Sequence, residues 1–290
     1  MPASIVFGAS GAIGRFLLPR LVASGHEVIA ISREPRASTR AGLRWIAGDL
    51  AAPIAGLPEN ATVFSLGPLD RFADWLERNA EIETPRIVAI GSISATTKRD
   101  SPDPREREVA ARLVDAERRI EGIAAERGAA STILRATLIY GAGLDRSLTP
   151  IVRFAERWRV FPSMHRARGL RQPVHADDIA NACVRLARMN LPRRVYAIGG
   201  GERLAFEAML ARVRRSFPFA TLALPFTPGL ARAAASLARR SASFRAASDA
   251  ALGRMQEDLV AENAAATADF GWSPRDFHPA PRDWSPPPLP

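Results

Sequence analysis

Three glycines at three-residue spacing, Gly8-x-x-Gly11-x-x-Gly14, interrupt an apolar opening: Ser4-Ile5-Val6-Phe7 precedes them, and Phe16-Leu17-Leu18 resumes behind them with helical spacing. A strand that turns sharply into a helix through such a run can hold a pyrophosphate. One glycine makes the turn, one lets the backbone approach the phosphates, and one lets the helix pack closely on the strand. The free amides at the start of that helix, around Ser10, Ala12 and Ile13, then face the anion. A second apolar run, Glu27-Val28-Ile29-Ala30-Ile31, ends in Ser32-Arg33. An acid at this point would hold the ribose hydroxyls of an unphosphorylated dinucleotide, whereas an arginine pairs with a 2′-phosphate. Arg15 and Arg36 add to the same clamp, so NADP is the expected cofactor, ahead of NAD.

Other reactive groups are sparse. Lys98 is the only lysine, Tyr140 and Tyr196 are the only tyrosines, and Cys183 is the only cysteine. A single thiol excludes an internal disulfide and a cysteine-built zinc site, and it favours a reducing compartment. No metal site is expected. His175 is a candidate acid or base, because an imidazole is the side chain whose charge changes most readily around physiological pH. Its place in Pro173-Val174-His175-Ala176-Asp177-Asp178, a short strand delivering a capped helix, favours a structural role, with Asp177 or Asp178 as the cap.

The elements that must position these groups alternate between strand and helix. Beyond the first two strands, short apolar runs stand at Leu43–Ala47, Ala61–Gly67, Arg86–Ile90, Ser131–Arg135 and Val195–Ile198. Helical patterns cover Asp70 to Asn79 and Pro104 to Arg127, the latter with Val109, Leu113, Ile120 and Ile123 as its stripe. Alternation of this kind predicts an α/β fold, a doubly wound parallel sheet with helices on both faces. At 290 residues and 47% hydrophobic content, the chain can bury a core of that size. The formal net charge of +10 comes almost wholly from arginine, and no aromatic-interleaved basic groove accompanies it. Nucleic acid is therefore excluded as the expected partner in favour of an anionic small molecule. No apolar stretch of about 18 residues and no basic leader appears, so a cytoplasmic protein without membrane insertion is expected, with peripheral membrane contact left open.

The glycine spacing resembles that of the short-chain dehydrogenase/reductase superfamily, its extended branch of nucleotide-sugar epimerases and dehydratases in particular. The resemblance implies a Rossmann-type domain and roles for several residues. Asp49, followed by Leu50, would contact the adenine, and Ser65-Leu66-Gly67 would lie against the adenosine side. Ser92, at the end of the fifth strand, would orient the substrate oxygen, with Ser94 as the alternative. Arg135-Ala136-Thr137-Leu138-Ile139-Tyr140-Gly141 is similar to the Arg-Pro-x-x-x-Tyr-Gly signature of extended members, which places Tyr140 beside the substrate cleft. Asp269-Phe270-Gly271-Trp272-Ser273-Pro274-Arg275 resembles their C-terminal motif. The family's catalytic Tyr-x-x-x-Lys is missing, with Val109 and Leu113 near its positions, so proton transfer falls to water, Lys98, Tyr140 or the substrate.

The implied organisation is a dinucleotide-binding domain over residues 1–140, completed by 170–199, and a smaller, mainly helical substrate lobe from 141–169 and 200–290. Trp158 to Gly169 is expected as a loop over the cleft, and Pro225 to Asn263 as arginine-rich lobe helices. Pro286 to Pro290 should be loose. The function implied is an NAD(P)-binding, epimerase/dehydratase-like oxidoreductase acting on a nucleotide sugar or another anionic small molecule. The alternative is a cofactor-binding accessory or sensor protein without turnover.

Overall fold

A computed structural model of the chain describes residues 2–34, 36–38, 40–163, 167–191, 195–225 and 256–290. In chain order the first half carries β1 (Ala3–Phe7), α1 (Ala12–Ala23), β2 (Glu27–Ser32), β3 (Leu43–Ala47), β4 (Thr62–Ser65), α2 (Leu69–Arg78), β5 (Arg86–Ser92), the single turn α3 (Ser94–Thr97), α4 (Pro104–Glu126) and β6 (Ala130–Ala136). The second half adds β7 (Ile139–Tyr140), α5 (Thr149–Trp158), β8 (Val160–Ser163), β9 (Leu170–Arg171), β10 (Val174–His175), α6 (Ala176–Leu186) and β11 (Val195–Ile198). It ends with β12 (Leu204–Ala205), α7 (Phe206–Arg215), β13 (Leu222–Pro225) and α8 (Ala264–Phe270).

Seven strands form one parallel sheet in the order β11, β6, β5, β4, β1, β2, β3. Parallel strands need crossovers, and these place helices on both faces, so the central strands read as continuous apolar runs. Val6, Leu17, Leu21, Val88, Leu134, Ile179 and Cys183 belong to the core on the α1/α6 face. On the α2/α4 face, Phe7, Phe72, Trp75, Ile87, Ala116 and Ile120 make the second core. Within α4 the buried residues are Glu106, Ala110, Ala116, Glu117, Ile120 and Ala124; Leu113 and Ile123 pack at the margin of the core, and Val109 is also only partly buried. Small alanines let α4 lie close to the sheet, with Ile120 as the large apolar side chain fully buried among them, while Val109, Leu113 and Ile123 are left at the edges. Asp103 caps the helix by accepting the Arg105 N–H at 2.9 Å, and Pro104 begins it.

A third core, built from Tyr140, Leu148, Val152, Phe161, Met209, Leu210, Val213, Phe277 and Trp284, joins the later elements. Several expectations change here. Trp158 to Gly169 is not wholly a loop, because Val160–Ser163 is a strand that pairs in parallel with Leu222–Pro225. The helix α6 is capped by His175 rather than by either aspartate: its Nδ1 accepts the Asp177 N–H at 3.1 Å. The expectation of helix from Pro225 to Asn263 lies largely outside the described residues. Residues 256–263 are irregular backbone, bridged at Leu259 to Arg171, and Asn263 accepts the Gly199 N–H through its side chain. Nor is the C-terminal tail free throughout, since the Pro287 carbonyl accepts a hydrogen bond from the Arg15 guanidinium. Gly199, Gly200 and Gly201 serve packing: a side chain on them would run into Gln172, Pro173 and Asp276.

His26 sits between α1 and β2, 5% exposed, with Nδ1 2.8 Å from the Ser4 hydroxyl and no partner for Nε2 among the described residues. Burial, reinforced by the nearby Arg188 charge, lowers its pKa from the ordinary imidazole value. The unfolded chain therefore binds a proton at this site before the folded chain does. Stability should be full above the ordinary imidazole range and should fall as pH drops through it. Urea unfolding of the wild type and His26→Gln between pH 8 and pH 5 checks this, with the variant expected to lose that part of the pH dependence.

Candidate functional site

The turn between β1 and α1 is a tight cradle of backbone, the candidate phosphate site. Gly8 takes φ +72°, a left-handed conformation that a side chain resists, and its α-carbon faces the Leu66–Gly67 backbone. Gly11 is the N-cap of α1 with φ −76°, so it needs space rather than conformational freedom, and its N–H donates to the Gly8 carbonyl at 2.9 Å. A side chain on Gly14 would overlap the Ala9 carbonyl, which is what holds α1 tightly under the turn. Among the described residues no side chain caps α1, and no acid stands in its first turn. Its opening amides are thus left for an anion. At the end of β4, next to this turn, the Ser65 hydroxyl is fully buried and has no hydrogen-bond partner among the described residues. These features fit a dinucleotide lying across the β1/β4 crevice at the carboxyl ends of the strands.

Around the end of β2, Ser32 is buried and Arg33 is exposed. The Ser32 Oγ accepts from Arg36 Nε at 3.2 Å, and the Arg36 guanidinium also reaches Glu34 at 2.8 Å and lies over the Trp45 ring at 5.7 Å. Arg15 donates to the Ser10 carbonyl at 3.2 Å as well as to Pro287. Its pKa is lowered by burial and by the Arg36 charge. Gly48 donates its N–H to the Ser32 carbonyl, so Asp49 and Leu50 stand beside this cluster. Asp49 accepts the Ala51 N–H at 3.0 Å, and Arg78 grips the Leu50 and Ala51 carbonyls. Cofactor candidates from four separate stretches therefore meet at one edge of the sheet.

The candidates for chemistry are less concentrated. Ser92 ends β5 opposite Ala136, and its Oγ accepts the Ser94 N–H at 3.2 Å, closing the turn into α3. Lys98 is ion-paired at 3.1 Å with Glu106, whose side chain is 9% exposed and also accepts from Ser101. Tyr140 is 1% exposed between the rings of His175 and Phe277, with Trp284 close by. Burial, with Asp283 next in size, raises its phenol well above the ordinary tyrosine value, opposite to what a proton carrier near neutral pH requires. His175 has both ring nitrogens engaged, with Nε2 3.4 Å from Asp283. Burial likewise pushes the Cys183 thiol up to about 12.

Residues 4–56 match the NAD dependent epimerase/dehydratase family. No curated protein matches the chain in sequence. Among solved structures, MoeE5 in complex with UDP-glucuronic acid and NAD is 20% identical, with a TM-score of 0.67 over 95% of this chain and 94% of that one. TunA, an NAD dependent NDP-hexosamine 5,6-dehydratase of tunicamycin biosynthesis, is 17% identical, with a TM-score of 0.68 over 93% and 91%. The UDP-glucose 4-epimerase of Thermotoga maritima, with UDP-glucose, is 15% identical, with a TM-score of 0.67 over 98% and 96%. The chain shares the fold of these structures, a doubly wound parallel sheet of the Rossmann type.

Within this fold, two features lie beyond the motifs. The first is a buried pair beneath the end of β5: Glu117 of α4 receives two bonds from Arg135 of β6, at 2.8 and 2.5 Å, and lies against Gly91, while Arg135 reaches Thr96 in α3 at 3.1 Å. An acid in the apolar stripe of a helix is the signal for it. The second is the clamp at the start of α6, where Arg275 donates to Asp178 at 2.9 Å and to Asp177 at 2.8 Å, tying the C-terminal motif to the sheet domain.

Gly11→Val tests the cradle. Its β-carbon would stand 3.0 Å from the Gly8 carbonyl, and the branch would fill the space in front of the first amides. Calorimetry is expected to show loss of dinucleotide binding, with the far-ultraviolet circular dichroism of a folded chain retained.

Proposed function

We propose that the protein is a nicotinamide dinucleotide-dependent oxidoreductase of the epimerase/dehydratase type, acting on a nucleotide sugar or a comparable anionic small molecule. The uncapped, acid-free start of α1 behind the Gly8–Gly14 turn carries this reading. It is supported by the family match over that same stretch and by three likened proteins whose names or titles mention NAD or a nucleotide sugar.

A bound nicotinamide dinucleotide supplies hydride transfer. The amides of Ala12, Ile13 and Gly14 hold its phosphates, and Ser65 offers a hydroxyl to the adenosine side, next to Leu66 and Gly67. Asp49 and Leu50 border the adenine. Arg33, Arg36 and Arg15 present positive charge where a 2′-phosphate would lie, which favours NADP. Glu34 is the competing acid, but its side chain is 79% exposed and already paired with Arg36. Ser92 orients the substrate oxygen from the end of a central strand.

Proton transfer is the weak half of the site. Neither tyrosine precedes the single lysine by four residues, Lys98 is neutralised by Glu106, and Tyr140 is enclosed in the core. These observations favour a second reading, a dinucleotide-binding accessory or sensor protein. Titration with NADPH and NADH, followed by a hydride-transfer assay at 340 nm over nucleotide sugars, separates the two.

NADP(H) is expected to bind more tightly than NAD(H), and Arg33→Ala should remove most of the difference, about 1.5–3 kcal/mol for a charged hydrogen bond. Equal affinities in the unmodified protein would refute the preference. If turnover is found, Ser92→Ala should lower kcat roughly tenfold, the equivalent of one hydrogen bond of about 1.4 kcal/mol. Lys98→Ala should lower it less, and the reverse ranking would move the chemistry to α3.

A further inference from the structure

We infer that the face formed by α5 and β13 is a docking surface for anionic lipid membranes, separate from the dinucleotide crevice. Of the six large apolar side chains that stand exposed among the described residues, four belong to this one unit. Phe154 (48% exposed) and Trp158 (58%) lie one turn apart on the same side of α5, while Leu222 (64%) and Leu224 (48%) alternate onto one face of β13. The two pairs are joined, because β13 runs beside β8 and the Leu222 N–H donates to the Arg159 carbonyl at 2.8 Å, next to Trp158. Scattered exposed apolar residues need no explanation, but four on two adjoining elements do.

The charges around this patch select the occupant. The Arg157 guanidinium stacks on the Trp158 ring at 5.2 Å, Arg159 lies over Phe219 at 3.9 Å, and Arg215 is exposed on α7 beside the Phe161–Ser163 and Phe219–Thr221 edges. Of the nearby acids, Glu156 falls on the other side of α5 from Phe154 and Trp158, while Glu207 shares one groove with Arg214 and Arg215, two arginines against one acid. Tryptophan, phenylalanine and leucine flanked by arginine match the boundary of an anionic bilayer: the rings and aliphatic chains enter the headgroup layer, and the guanidiniums pair with lipid phosphates. No helix among the described residues is long and apolar enough to cross a membrane, so the contact is peripheral.

Flotation of the full chain with vesicles tests this. The protein is expected to rise with phosphatidylglycerol/phosphatidylcholine vesicles and to stay behind with pure phosphatidylcholine, with binding weakened by added salt. Phe154→Ser/Trp158→Ser and, separately, Arg157→Glu/Arg215→Glu should each lower the partition coefficient at least about tenfold. Both sets change exposed side chains, and unchanged thermal unfolding shows that the fold survives. Failure to float with anionic vesicles overturns the inference, as does flotation that neither double variant weakens. Concentration-dependent dimerisation that Phe154→Ser/Trp158→Ser abolishes would assign the patch to a second copy of the chain instead. NADPH titration, read independently, keeps this result distinct from the proposed dinucleotide site.

Discussion

Backbone meets backbone at the first turn of this protein, and the rest of the site depends on that contact. Gly14 lies directly on the Ala9 carbonyl, and Gly8 lies against the junction of Leu66 and Gly67. A side chain at Gly14 would lift α1 off β1, and one at Gly8 would push β4 away. Both shifts would distort the crevice bordered by the opening amides of α1, the Ser65 hydroxyl and the arginines at the end of β2. The close approach also sets how deeply Leu17 and Leu21 enter the core on the α1/α6 face. The cradle and one half of the hydrophobic core are therefore consequences of the same missing side chains.

What can be read from the chain before folding follows from how local each requirement is. The glycine turn, the apolar strands and the Asp103-Pro104 helix start are legible because their geometry is decided within a few residues. The parallel sheet follows from their alternation. The edge strand β8 is not legible, because Val160–Ser163 becomes a strand only when Leu222–Pro225, some sixty residues later, lies beside it. The cap of α6 is equally hidden: Asp177 and Asp178 have the usual capping chemistry, but both are drawn off by Arg275, and His175 takes their place. Lys98 reads as a loop charge until Glu106, on the first turn of α4, is seen to face it.

Placement of Tyr140 illustrates a different limit. Its motif resembles one that runs past a substrate cleft, yet here the ring is enclosed by His175, Phe277 and Trp284, two of which come from the last fifteen residues. Whether such a tyrosine faces ligand or core depends on where the C-terminal segment runs, and a local motif carries no information about that. The Arg135–Glu117 pair shows the converse. An ion pair with Glu117 only 4% exposed occupies the space between α4 and the end of β5, and it fixes α3 through Thr96. Such a pair offers little net stability, since removing two charges from water costs about what their attraction returns, but it fixes one arrangement of the helix on the sheet.

The strand order has a consequence for synthesis on the ribosome. β6 is complete by residue 136, but its outer neighbour β11 begins only at Val195. For some sixty residues of elongation the growing sheet carries an unpaired parallel edge, with Leu134 and the apolar ends of β5 and β6 beside it. Parallel pairing of this kind is slow because a long loop must close first. The seal arrives later still: Trp272 donates to the Gly199 carbonyl behind β11, Arg275 grips α6, and the Trp284 indole bonds Ser216 at 2.8 Å in the lobe. A nascent chain short of Trp284 thus holds a finished first turn inside an unsealed domain, open to aggregation and proteolysis until that segment emerges.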